Sequence, residues 1–172
     1  RVMQENPADI GVDIVFFDLE DQGEHQGNDP NTWCYGSQYW SKNLPRPATA
    51  YSYGILLDMV GAKNALFKYE GFSKRYAPSV LDKIWSLASA MGYGNFFQKE
   101  DIGGVIDDHY FVNTIAGIPS IDIIDKRPNT ETGFFKHWHT VNDDIDIIDK
   151  ATLRAVGQVL TAVIYRESID SL

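Results

Sequence analysis

The stretch Val12-Asp13-Ile14-Val15-Phe16-Phe17-Asp18-Leu19-Glu20-Asp21 decides how the rest of the 172-residue chain is read. Residues 12–18 are a short β-branched and aromatic run ending in acids, the pattern of a buried strand whose carboxyl end opens into a loop. Segment 22–32, rich in Gly, Asn, Asp and Pro, continues as that loop and contains His25, read as a polar loop residue. A short helix is expected over 34–43, closed by Pro45 and Pro47.

Outward from this stretch, strands and helices alternate. Tyr51 to Val60, passing through Ile55, Leu56, Leu57 and Asp58, reads as a second buried strand stopped by Gly61. Residues 78–91 place Leu81, Ile84, Leu87, Ala88 and Met91 on one helical stripe, with Pro78 suited to the first turn and Gly92 and Gly94 ending it. A short strand near 95–99, a helix over 107–116 ending at Gly117, and a strand over 120–124 follow. The last helix covers about residues 150–167, with Leu153, Val156, Leu160 and Ile164 expected inward. This alternation predicts an α/β sandwich with a largely parallel sheet. Ligands of such sheets bind at the carboxyl ends of the strands. Asp18, Asp58 and Asp125 end strands, and Asp18, Glu20, Asp21 and Asp58 are placed for a site there.

Composition narrows the function classes. The 15 Lys and Arg against 24 Asp and Glu give a formal net charge of -9, with no basic run, which disfavours nucleic acid. No apolar run approaches the roughly 18 residues of a membrane span. The single cysteine, Cys34, excludes an intrachain disulfide and reads as a small buried filler. Arg1 starts abruptly without Met, so the chain is expected to be a piece of a longer protein.

Four clusters can carry chemistry. Asp18-Leu19-Glu20-Asp21 offers adjacent carboxylates that can divide metal binding from proton transfer, or simply cap a helix. Asp58 is either a site residue or a strand-end turn residue. Asp107-Asp108-His109 starts a helix, where carboxylates also cap, and His109 alone is more often packed than a ligand. His137-Trp138-His139-Thr140 carries the histidines that zinc favours, or is a polar loop. No Gly-rich phosphate loop, Cys-x-x-Cys pair or Gly-x-Ser-x-Gly elbow competes with them.

The order of these clusters resembles the zinc exopeptidase superfamily that contains leucine-type aminopeptidases and glutaminyl cyclases. The resemblance runs over about residues 12–165. It implies a single three-layer α/β/α domain over 1–172, with a mixed, largely parallel central sheet and its upstream part absent. It makes Glu20 the proton-shuttling base, and Asp21 and His139 zinc ligands. Leu57-Asp58-Met59-Val60-Gly61 matches the family's Leu-Asp-x-x-Gly strand. Nothing before Asp18 matches the upstream element that supplies a further zinc-binding Asp, so a third ligand is expected outside this chain.

Trp138 before His139, Asp107 in place of the peptidases' Ser, and Phe134 four residues before Trp138 are similar to the glutaminyl cyclase branch, as is the stretch Thr32–Trp40. That branch implies cyclisation of N-terminal glutamine on peptides, with Asp58 and Asp107 as a hydrogen-bonded acid pair. It also implies a substrate pocket of Phe134 and Trp138, with Trp33 a further candidate, and a periplasmic or secreted location. Aminopeptidase activity is the alternative, and a non-catalytic module of the same fold is the third reading.

Overall fold

A computed structural model describes residues 2–24 and 29–172; His25 lies outside them. The elements run α1 (Val2–Glu5), α2 (Tyr35–Lys42), β1 (Gly54–Asp58), β2 (Phe67–Tyr69), α3 (Gly71–Tyr76), α4 (Pro78–Ala90), β3 (Phe97–Asp101), α5 (Asp108–Phe111), β4 (Ser120–Ile124) and α6 (Lys150–Glu167). β1 pairs with β4 in parallel, Gly54 opposite Ser120 through Asp58 opposite Ile124. β2 pairs with β3, also in parallel, and an antiparallel bridge from Phe67 to Asp125 links the two pairs. The sheet is therefore mixed and mainly parallel, as expected. Among the described residues no helix is long and apolar enough to cross a membrane.

The two faces of the sheet differ in chemistry because side chains alternate along a strand. Ile121 and Ile123 of β4 enter an apolar core with Phe67, Phe97, the α4 residues Leu81, Ile84, Trp85 and Ala88, and the α6 residues Val156, Val159 and Val163. Trp85 anchors this layer. Its indole N–H donates to the Phe67 carbonyl at 3.2 Å, and its ring meets Phe97 edge-on at 5.3 Å. Burying each such side chain contributes about 1.5–3 kcal/mol. The opposite face, covered by α3 and α5, buries polar groups instead: Glu70, Ser73, His109, Asn113 and Asp122.

Several expectations need correction. Segment 12–18 is not a strand: it has no regular secondary structure, and Phe16 is 92% exposed and Ile14 77%. A strand exists only through its ladder, and among the described residues nothing pairs with this segment. It is held by side chains instead, Phe17 edge-on to Trp40 at 5.9 Å and Asp13 to Arg46. The strand expected over 51–60 shortens to Gly54–Asp58. The helix expected over 107–116 divides into α5 and a π-helical turn over Val112–Ala116, ending at Gly117 with φ 69°. α6 has the expected span but a rotated buried face: Thr152, Ala155, Val156, Val159 and Val163 are inside, whereas Leu153 is 43% exposed. Small and β-branched residues there match the close approach to α4. β2 and α3 carried too short a pattern to be anticipated.

Glu70 connects the polar layer. Its carboxylate caps α3 by accepting the N–H groups of Phe72 and Ser73 at 2.9 and 2.6 Å, and it also accepts the Val105 N–H at 2.8 Å. Burial alone would raise its pKa, but His109 and these N–H donors outweigh that and bring it down to about 2. Glu70→Gln should lower stability by about 2–3 kcal/mol at neutral pH, by loss of charge-assisted bonds. Because the folded value is depressed, that contribution is present above the ordinary carboxyl value and lost as pH falls toward about 2. Urea denaturation should show the gap between variant and wild type narrowing across that interval.

Candidate active site

The acidic turn is built on the amino end of α2. Leu19 adopts a left-handed backbone, φ 51°, and the carbonyls of Asp18, Leu19 and Glu20 accept the N–H groups of Gly36, Tyr35 and Cys34, each at 3.1 Å. These donors have no partner within the helix, so the turn satisfies the helix while the helix fixes the turn. Gly36 permits the approach: a Cβ there would lie 2.4 Å from the Asp18 carbonyl oxygen and 2.7 Å from its nitrogen.

Asp21 and His139, 118 residues apart in sequence, meet at 3.0 Å between Oδ1 and Nε2. His139 also has a left-handed backbone, φ 56°. Such strain in a non-glycine residue costs on the order of 1–3 kcal/mol and persists where the surroundings impose it. The Trp138 ring stacks on the His139 ring at 3.8 Å and 17°, and Phe134 packs on Trp138 at 4.8 Å. One carboxylate oxygen and one imidazole nitrogen this close suit zinc, whose O and N ligands stand about 2.0–2.2 Å from the ion. Trp33 is partly buried against Gly23, where an added Cβ would fall 2.0 Å from its indole.

Beside this pair lies a cleft of about 240 Å³ lined by Glu20, Asp58, Asp107 and Asp108 together with Phe17 and Leu56. Asp58 ends β1 and precedes Met59, another left-handed residue, φ 50°. Asp107 is buried and accepts the Asp108 N–H at 2.6 Å. Burial first, then Asp21, Asp107 and Asp58 around it, push the Glu20 carboxyl up to about 9. Burial, opposed by the Met59 backbone, raises Asp58 to about 6. Burial and the neighbouring Asp58 raise Asp107 well above its ordinary value, and burial raises Asp108 too. The cleft thus stores protons near neutral pH, the condition under which a carboxyl shuttles them.

Cys34 enters this cluster. Its thiol stands within 4.8 Å of Glu20 and Asp107, a place that nothing in its flanking sequence signals. Burial and the surrounding acids push the thiol far up, so it stays protonated and is no nucleophile. Asp125, expected at the ligand end of a strand, is instead fully buried in a pairing with Arg127 at 2.6 Å and accepts the Leu66 N–H. His109 is packed and hydrogen-bonded, as its sequence context suggested.

The profile of peptidase family M28 matches residues 1–164. The chain belongs to that family. Its fold is that of the Bacteroides thetaiotaomicron glutaminyl cyclase bound to N-acetylhistamine: TM-score 0.90 and 44% identity, over 96% of this chain and 57% of that one. A Zn-dependent exopeptidase from Parabacteroides distasonis is as similar, with TM-score 0.89 and 44% identity, over 95% of this chain and 57% of that one. The glutaminyl-peptide cyclotransferase of Boiga dendrophila is 22% identical over 171 residues, covering 89% of this chain and 44% of its own length. The chain spans about half the length of these relatives. The fold expected from the acid series, a zinc exopeptidase-like sandwich, is the one this M28 chain has.

If Gly36 is what lets the acidic turn close on α2, Gly36→Ala should cost about 1–3 kcal/mol by overpacking. Gly157→Ala in α6, where no atom lies within 4 Å of the added Cβ, should instead stabilise by about 0.5–1 kcal/mol. Urea denaturation of the two variants compares them directly.

Proposed function

We propose that the protein carrying this chain is a zinc-dependent glutaminyl-peptide cyclotransferase that converts N-terminal glutamine to pyroglutamate and releases ammonia. The observation that carries the reading is the contact of the Asp21–His139 pair with the Phe134–Trp138 aromatic stack, beside the proton-holding Glu20. The cyclase and exopeptidase relatives support the reaction class.

In this reading Asp21 and His139 are two zinc ligands, and the third that a catalytic zinc takes comes from polypeptide outside this chain. A zinc there would polarise the side-chain amide carbonyl and favour the ionised form of Glu20. Glu20 accepts a proton from the substrate α-amine as its nitrogen bonds to the amide carbon. It then returns the proton to the amide nitrogen, the C–N bond breaks and ammonia leaves. Asp58 and Asp107 hold the amine and the departing nitrogen. Phe134 and Trp138 wall the glutamine side chain, with Trp33 a more distant contact. The substrates are peptide and protein N-termini, met in the periplasm or outside the cell.

Aminopeptidase activity is the second reading, favoured by the similarity to the exopeptidase. It would use the same Glu20 to deprotonate water.

The full-length protein should be assayed on Gln-β-naphthylamide and Leu-p-nitroanilide side by side, with zinc content measured. Pyroglutamate formation at about one zinc per chain is expected, since one open zinc site suffices. Glu20→Gln should then lower kcat by about 100-fold or more while zinc stays bound. Hydrolysis of the leucine substrate with two zincs would replace the cyclase by a peptidase.

A further inference from the structure

Beneath the acid cleft lies a second set of ionisable groups that the reaction above does not use. Glu70, His109 and Asp122 have no more than 1% of their surface exposed and come from three elements: the start of α3, α5 and β4. The His109 ring lies between the two acids, Nε2 2.9 Å from Glu70 Oε2 and Nδ1 3.8 Å from Asp122 Oδ2. We propose that His109 is a positioning residue of the active site: with its ring held by Glu70 and Asp122, it fixes the Asp107–Asp108 turn against the cleft. The proposal rests on the reading of Asp107 as a site residue.

Glu70 settles which ring nitrogen carries the proton. Its two oxygens already accept the N–H groups of Phe72, Ser73 and Val105 and the hydroxyl of Ser73. A carboxyl that accepts four donors is ionised, so Nε2 of His109 donates to it. Nδ1 then faces Asp122, 3.8 Å from Oδ2. No hydrogen-bond partner reaches Nδ1, and none reaches either oxygen of Asp122. A bare carboxylate with no exposed surface is costly, and Asp107, Asp58, Glu70 and Asp108 all press on Asp122 to retain its proton. Nδ1 and the Asp122 carboxyl, each without another hydrogen-bond partner, can satisfy one another through a single shared proton. A movement of about 1 Å would close the pair to hydrogen-bond distance.

The link to the cleft is short. His109 follows Asp107 by two residues in the first turn of α5. Its carbonyl accepts the Asn113 amide at 2.8 Å, and the same amide donates to the Ser120 carbonyl at 2.8 Å while Asn113 Oδ1 accepts the Ser120 N–H at 2.9 Å. Ring and backbone of His109 are therefore both tied to neighbouring elements. The Asp107 carboxyl accepts the Asp108 N–H, within its own turn. The direction in which Asp107 points follows the start of α5, which His109 anchors on one side and α2 packs against on the other.

The test compares His109→Leu, His109→Gln, Asp122→Asn and Asp122→Ala in the full-length protein, on whichever of the two substrates wild type turns over. A glutamine amide can occupy the place of Nε2, and an asparagine amide can donate as a protonated carboxyl does. His109→Gln and Asp122→Asn should keep kcat within about threefold, whereas His109→Leu and Asp122→Ala lower it by about 10–100-fold. KM and zinc content should stay unchanged in all four. Equal losses in the polar and apolar variants, or losses falling on KM or zinc, would overturn the proposal. If His109→Leu does not fold, the Asp122 pair decides alone. A wild type that only hydrolyses the leucine substrate removes the cyclase reading and leaves the comparison intact. Should neither substrate react, crystal structures of wild type and Asp122→Ala decide: Asp107 displaced by about 1 Å supports the positioning role, a displacement of the size that costs activity, and an unmoved Asp107 sinks it.

Discussion

A carboxylate cannot be buried without donors, and Glu70 meets that demand by drawing four parts of the chain together. Its oxygens accept from α3, from the Val105 N–H of the loop before α5 and from the His109 ring, and Ser73, which donates to it, accepts the Asp122 N–H of β4 at 2.9 Å. The apolar face behind the sheet could pack in several neighbouring arrangements at similar energy, because hydrophobic contact is non-directional. The polar face could not. Removing any one of these partners leaves a buried charge or donor unsatisfied, at a cost above that of a lost contact. The elements carrying Asp58, Asp107 and Asp108 are thereby held in one relative placement.

That placement brings like charges close. Glu20, Asp58, Asp107 and Asp108 are raised chiefly by burial and further by the acids around them. Such a set would repel itself if every member were ionised, so it retains protons or attracts a cation. Left-handed backbones at Leu19, Cys34, Met59 and His139 border the same region. Each turns a side chain where regular structure would not aim it, and each adds local strain. The stability of the surrounding layers offsets these costs.

The chain's order of acids was legible because chemistry-bearing residues follow strand ends, and strand ends are marked by β-branched runs stopped by Asp or Gly. Residues 78–91 matched their element closely because burial on one face imposes a clear period, and 120–124 because a strand buried on both faces reads as a short apolar run. Segment 12–18 has an equally clear pattern and yet forms no strand, because a strand is defined by partners rather than by its own residues. The stripe read on α6 from Leu153, Val156, Leu160 and Ile164 was rotated toward Thr152, Ala155, Val159 and Val163. Periodicity identifies a helix, but which small side chains let a neighbour approach depends on the neighbour.

By itself the sequence determined the α/β alternation, the acidic turn at 18–21, the spacing of Phe134, Trp138 and His139, and the absence of a disulfide within this chain. All of these are local properties, carried by residues within a few positions of one another. Only the tertiary structure decided that Asp21 meets His139, that Cys34 joins the acids, that Arg127 takes Asp125 away from the cleft, and that Glu70 and Asp122 enclose His109. Except for Asp125 and Arg127, which are two residues apart, those are contacts between residues distant in sequence. Their ionisation depends on burial and on neighbouring charge, which no stretch of sequence contains until the chain has folded around it.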